Sequence, residues 1–146
     1  MKSKTSIFFS YARDDQDTVK LIYKRLQNEG HNPWMDLFDI LPGENWEQCI
    51  RSAIKRADFF IIFLSNHSVN RRGFLQKEIH MALDVWEGML RSDIYLIPIR
   101  LSECLIPDEL SSFQWVDFYD GSGWEKLLSA IKSGLRRRRN DPRNKR

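Results

Sequence analysis

Several familiar chemistries are missing from this chain. It has only two cysteines, Cys49 and Cys104, far apart and in no CxxC pair, which excludes a zinc ribbon or a dithiol redox motif. Cys49 falls beside the apolar stripe of an expected helix and reads as a buried free thiol. No apolar run is long enough to span a bilayer. Ile7-Phe8-Phe9, behind the basic start Met1–Lys4, is too short for a signal peptide, so the expected compartment is the cytoplasm, without a membrane partner. There is no GxGxxG and no GxxxxGK[ST], and nothing resembles a nucleophile elbow. His31, His67 and His80 lack metal-ligand spacing. A metal centre and a resident cofactor are therefore not expected.

What remains is an ordinary globular composition. The 146 residues fit one domain, with 42% hydrophobic and 29% charged residues. The charge is unevenly placed. Arg136–Arg146 holds seven basic residues and one acidic residue and so contributes +6 to a net charge of +3, which leaves the rest at −3. The expected organisation is a folded domain over residues 1–135 and a basic, disordered tail or linker over residues 136–146. A nucleic-acid partner is not expected, because the body lacks a basic face to match the tail.

Apolar periodicity alternates along the chain. Ile7-Phe8-Phe9 reads as a strand. Val19, Ile22, Tyr23 and Leu26 then repeat at helical spacing, and Gly30 stands where a helix C-terminal glycine belongs. Asn32–Asp36 is a weak strand that Pro33 confines to an edge or to the strand's first residues. Leu37–Asn45 contains Pro42-Gly43 and reads as a loop. Asn45 is an expected N-cap for a helix marked by Trp46, Ile50, Ala53, Ile54 and Ala57. Phe59–Leu64 is six apolar residues in a row, a strand buried on both faces. After Ser65 a polar loop leads to a helix opening near Phe74 and carrying Ile79, Ala82 and Trp86 on one face. Tyr95–Ile99 and Trp115–Phe118 are further strands, and Pro98 requires the ladder to end or face solvent there. Trp124, Leu127, Leu128 and Ile131 mark a last helix. This alternation means an α/β fold with a mostly parallel sheet.

Ligands of such sheets bind beyond the carboxyl ends of the strands. Glu78 lies early in the helix that follows the most buried strand, so the segment aims a carboxylate at the expected site edge. By itself this residue better fits a helix-dipole partner, which stabilises a first turn by about 0.3–1 kcal/mol.

Five pieces, in order, resemble the Toll/interleukin-1 receptor (TIR) domain family in its bacterial form, over about residues 5 to 135. They are Ile7-Phe8-Phe9-Ser10-Tyr11-Ala12; Trp34-Met35-Asp36 followed by Leu41-Pro42-Gly43-Glu44; Ala57–Ser65; Gly73-Phe74-Leu75-Gln76-Lys77-Glu78; and Phe113–Phe118. Many members place a tryptophan or cysteine shortly before the glutamate, where this chain has Phe74. The resemblance implies a flavodoxin-like three-layer fold around a five-stranded parallel sheet of order 2-1-3-4-5. It also implies that Glu78 is the catalytic glutamate of an NAD+ glycohydrolase. The products would be nicotinamide and either ADP-ribose or a cyclic isomer, in bacterial defence signalling or NAD depletion. NAD+ would be substrate, not cofactor.

Two readings attach to each remaining candidate. Ser10 and Tyr11 form either an ordinary strand-end turn or a ribose or phosphate contact with a pocket wall. Arg13 either neutralises a phosphate or is solvated. Trp34 and Phe38 stack on a flat base or pack in the core. Asp36 and Asp39 touch ribose or are solvated loop acids. Ser65 and Phe74 flank the site from the third strand and third helix. The long loop Leu37–Asn45 carries Leu37, Phe38, Ile40 and Leu41. It either folds onto its own core or joins other TIR domains head to tail, as in the family, giving oligomers or filaments. If that contact is the whole function, the chain is a non-catalytic TIR adaptor and Glu78 is structural.

Overall fold

The computed structural model describes residues 5–69, 76–90 and 92–139. Strand β3 (Phe59–Leu64) is apolar at all six positions and every one is buried. Such a strand needs cover on both faces and takes the centre of the sheet. Strands β1 (Ser6–Ser10) and β4 (Leu96–Arg100) flank it, with β2 (Asn32–Trp34) and β5 (Val116–Asp117) at the edges. The order is β2-β1-β3-β4-β5, all parallel, as the resemblance implies.

Alternation along β3 builds two cores. Phe59, Ile61 and Phe63 join Ile7 and Phe9 of β1. They are covered by Val19, Ile22 and Leu26 of α1 (Gln16–Asn28) and by Leu127 and Ile131 of α6 (Gly123–Arg139). On the opposite face Phe60, Ile62 and Leu64 join Phe8 under Ala53 and Ile54 of α3 (Trp46–Arg56) and Ile79 and Ala82 of α5 (Gln76–Glu87). There the register sets Trp34, Phe8 and Phe60 side by side across β2, β1 and β3. Their rings stack, with both centroid separations 5.0 Å.

Both strand prolines sit where a missing N–H is tolerated. Pro33 is on an edge strand, paired with Ile7. Around Pro98, the Tyr95 carbonyl and the Leu101 N–H bond to β3. Alternation therefore turns Pro98 toward β5, which pairs only with Ile99 and Arg100.

The structure corrects the sequence reading in three places. The expected loop after β2 contains a single helical turn, α2 (Asp36–Asp39). The polar stretch after Ser65 likewise forms α4 (Asn66–Val69). Finally, Arg136–Arg139 is no disordered tail, because α6 runs through it. Arginine is a good helix former, and two of these side chains reach back to the domain. Arg137 Nη1 donates to the Ser92 carbonyl at 2.8 Å and Arg138 Nη2 to the Ile94 carbonyl at 2.6 Å. The Arg138 guanidinium lies 4.6 Å from the centre of the Phe59 ring, a cation–π contact. Residues 140–146 lie outside the described part.

Candidate functional site

The connection after β1 and the turn after β2 open onto one cleft of about 570 Å³. Its walls are Phe8, Phe9, Tyr11 and Arg13 from β1 and the 3-10 turn behind it, Trp34 and Asp36 from the end of β2, Ile40, Trp46 and Ile50, and Glu78. Five expected site residues, Tyr11, Arg13, Trp34, Asp36 and Glu78, thus share one cavity between β1, β2 and the first turn of α5.

Glu78 is half-buried in that turn. Burial pushes its pKa up to about 7, against the lowering effect of the neighbouring Ser10 hydroxyl, and the Asp36 charge raises it further. Ser10 is buried, and among the described residues its Oγ finds no hydrogen-bond partner of ordinary geometry. It lies close enough to favour the Glu78 anion without a well-formed bond. A buried hydroxyl with no settled partner is costly and marks a place where a ligand atom would be welcome.

Tyr11 reaches across the cleft and donates its hydroxyl to Asp36 Oδ1 in a short hydrogen bond. The Leu37 N–H donates to the same oxygen at 2.9 Å, fixing the carboxylate at the start of α2. Burial first and then this bond raise the Tyr11 pKa well above the usual phenol range.

Three expected contacts lie elsewhere. Asp39 Oδ2 accepts from the Met35 N–H at 2.9 Å and the Tyr23 hydroxyl at 3.2 Å, so its carboxylate ties α2 to α1. Burial and that Asp39 charge push the Tyr23 pKa up to about 12. Phe38 packs on the Tyr23 ring at 5.0 Å, on the opposite side of the sheet edge. Ser65 is buried and donates to Asp15 Oδ2 at 2.5 Å. Its Oγ also accepts from the His67 and Ser68 N–H groups, so it organises the start of α4. None of these three lines the cleft. Phe74 lies outside the described residues.

Trp46, Ile40 and Ile50 line the cleft without having been singled out as site residues. The signal for Trp46 was present. Asn45 caps α3 by accepting from the Gln48 N–H at 3.0 Å, which makes Trp46 the first helical residue. Trp46 is 63% exposed.

This sheet order, with a half-buried acid at the cleft beside β1, defines a flavodoxin-like domain of the TIR class. The TIR-domain family model matches residues 7–131, and the chain belongs to that family. Among curated proteins it is 27% identical over 121 residues to y4cD of Sinorhizobium fredii, covering 82% of this chain and 19% of that protein. It is 25% identical over 99 residues to the 2' cyclic ADP-D-ribose synthase AbTIR of Acinetobacter baumannii, covering 60% of this chain and 37% of that one. The chain thus spans about a fifth and just over a third of these relatives. Among solved structures, the TIR domain of the Toll-related receptor TRR-2 from Hydra magnipapillata superposes with a TM-score of 0.71 at 20% identity, over 86% of this chain and 97% of that one. The TIR domains of the activated Roq1 resistosome give 0.67 at 15% identity, over 89% and 99%. At these identities the two structures bear on the fold alone.

Proposed function

We propose that this domain cleaves the nicotinamide–ribose bond of NAD+, with Glu78 as its catalytic residue. The observation that carries the reading is a half-buried carboxyl sharing one cleft with Tyr11, Arg13, Trp34 and Asp36. The similarity to a cyclic ADP-ribose synthase supports it. The chemistry needs little more. The C1'–N1 bond breaks and its electron pair passes to the pyridinium nitrogen, so nicotinamide leaves neutral and needs no general acid. The ribose carbon becomes oxocarbenium-like, as in glycoside hydrolysis. A fixed anion beside it stabilises the developing positive charge. Water then bonds to C1' and releases a proton to Glu78 or solvent, giving ADP-ribose; attack by the adenine end gives a cyclic isomer instead. Trp34 and Trp46 offer flat faces to a ring, and Arg13 offers a cation to the pyrophosphate.

Self-association belongs to the same proposal. Leu37, Phe38, Leu41 and Trp46 are each at least 43% exposed around the turn that forms one wall of the cleft. That apolar surface fits a second TIR domain, and a neighbour bound there would close the cleft. It also favours the second reading, an adaptor that only recruits other TIR domains.

Nicotinamide release from NAD+, followed chromatographically over a range of protein concentrations, separates the two. The expected result is activity that rises more than proportionally with concentration and drops about 100- to 1,000-fold in Glu78→Gln. Leu41→Asp should shift the concentration dependence upward. Equal rates in Glu78→Gln would overturn the catalytic assignment. No nicotinamide at any concentration, with TIR–TIR binding intact, would favour the adaptor.

A further inference from the structure

The cleft holds two carboxyl groups, Glu78 and Asp36, and they are held very differently. Among the described residues, Glu78 has the loosely placed Ser10 hydroxyl as its hydrogen-bonding neighbour. Asp36 is fixed by the Tyr11 hydroxyl and the Leu37 N–H, both on Oδ1. Among the described residues, the other elements around the cleft do little to offset this pair. The α3 wall contributes Trp46 and Ile50, which carry no charge. Lys77, next to Glu78 in the chain, is engaged with Glu47 of α3 at 2.5 Å. Arg13 is the cation in the lining, on the turn beyond Tyr11.

We propose that Asp36, locked in place by Tyr11, is a specificity-determining and positioning residue: it makes one wall of this cleft negative and so selects a ligand ring that carries positive charge. The inference rests on the NAD+ reading and goes beyond it. It assigns to Asp36 a discrimination between the oxidised, cationic nicotinamide ring and its neutral forms. Two carboxylates facing one another across a half-buried cavity repel, and the repulsion favours the protonated form of Glu78 while the cleft is empty. A cationic ring between them removes the conflict and returns Glu78 to the anion that the chemistry needs. A neutral ring of the same shape, such as dihydronicotinamide or released nicotinamide, gains nothing of the kind. Product release and rejection of the reduced dinucleotide then have one electrostatic cause. Tyr11 acts through Asp36, holding its exposed carboxylate against the cleft.

The test compares two small probes that differ in charge and hardly in shape, 1-methylnicotinamide (a cation) and nicotinamide (neutral). Their binding to the full chain is read by NMR shift titration, with thermal melting as a fold control. The parent should favour the cation. Asp36→Asn should lower that preference about three- to tenfold, and Tyr11→Phe should lower it by a smaller factor. In the same Asp36→Asn sample the Glu78 carboxyl carbon should titrate at lower pH than in the parent, a change that a merely structural role for Asp36 would not produce. Parent and Asp36→Asn binding both probes with one unchanged ratio would overturn the role of Asp36 and leave NAD+ cleavage standing. Failure of the cation to bind the parent would overturn both. Should Asp36→Asn melt early, Asp36→Glu keeps the charge and should retain the preference; its loss there would overturn the proposal.

Discussion

At the carboxyl ends of β4 and β5, Arg100 sits in a complete set of partners. Its Nε and Nη2 donate to the two Asp117 oxygens at 2.6 and 3.0 Å, Nη1 donates to the Cys104 carbonyl at 2.8 Å, and Nη2 also donates to the Tyr119 hydroxyl at 3.0 Å. The arginine lowers the Asp117 pKa, chiefly through those hydrogen bonds. At the carboxyl end of β1, on the same rim of the sheet, Glu78 is pushed toward neutrality beside a hydroxyl with no settled partner among the described residues. Both clusters cost solvation to build. In the first the cost is offset within the fold by the paired hydrogen bonds. In the second no such offset is found among the described residues, and on the proposed reading a bound molecule supplies it. Polar residues at strand ends are therefore not equivalent, and satisfaction of their hydrogen bonds tells a structural cluster from a reactive one.

The sharpest way to break this contrast is to exchange what each cluster loses. Glu78→Gln should cost about 100- to 1,000-fold in nicotinamide release while its melting temperature holds or rises. Arg100→Leu should do the reverse. It strands Asp117 in a bidentate pair whose side chains are 15% and 25% exposed. Unfolding free energy should fall by about 1–3 kcal/mol in denaturant titration, with turnover per folded molecule unchanged.

Proton linkage gives a finer test. A carboxyl whose pKa rises from 4.5 when unfolded to about 7 when folded binds more protons in the native state between those values. Its contribution to stability is therefore greatest below pH 4.5 and is lost as pH climbs toward 7. Comparing Glu78→Gln with the parent in urea at pH 5 and pH 7.5 should show the parent losing roughly 1–2 kcal/mol relative to the variant. The rate should follow the opposite course, with kcat/KM increasing through about pH 7 as the anion forms. The smallest effect concerns Ser65. Ser65→Ala removes the partner of the buried Asp15 carboxylate and should cost about 1–2 kcal/mol of stability with KM for NAD+ unaltered. A raised KM would place Ser65 in the site after all.

Much of the architecture was readable in advance because its determinants are local and apolar. The six-residue run of β3, the helical spacing of Val19 to Leu26 and the asparagine before Trp46 each admit one structural answer. The cleft was readable in part. Tyr11, Arg13, Trp34, Asp36 and Glu78 come from elements whose order fixes their meeting place. Asp39 and Phe38 were not readable, because one helical turn between two loop residues decides which way they point. With α2 formed, Asp39 swings to Met35 and Tyr23 and takes Phe38 with it. Ser65 misled for a related reason, since its natural partner, Asp15, is fifty residues away. The arginines at the end of α6 were judged by charge alone, and charge does not report what a guanidinium plane rests on.

The approach of α6 to β3 has a practical side. Gly134 lets the helix settle so close that a Cβ there would stand 2.6 Å from Phe59 Cε1, and Arg138 covers that same ring one turn later. Glycine and arginine together work as a clasp on the central strand. A version of this protein trimmed after Leu135, where the basic run begins and a shorter domain would look complete, would lose half the clasp and leave an aromatic ring and the Ile94 carbonyl open to water.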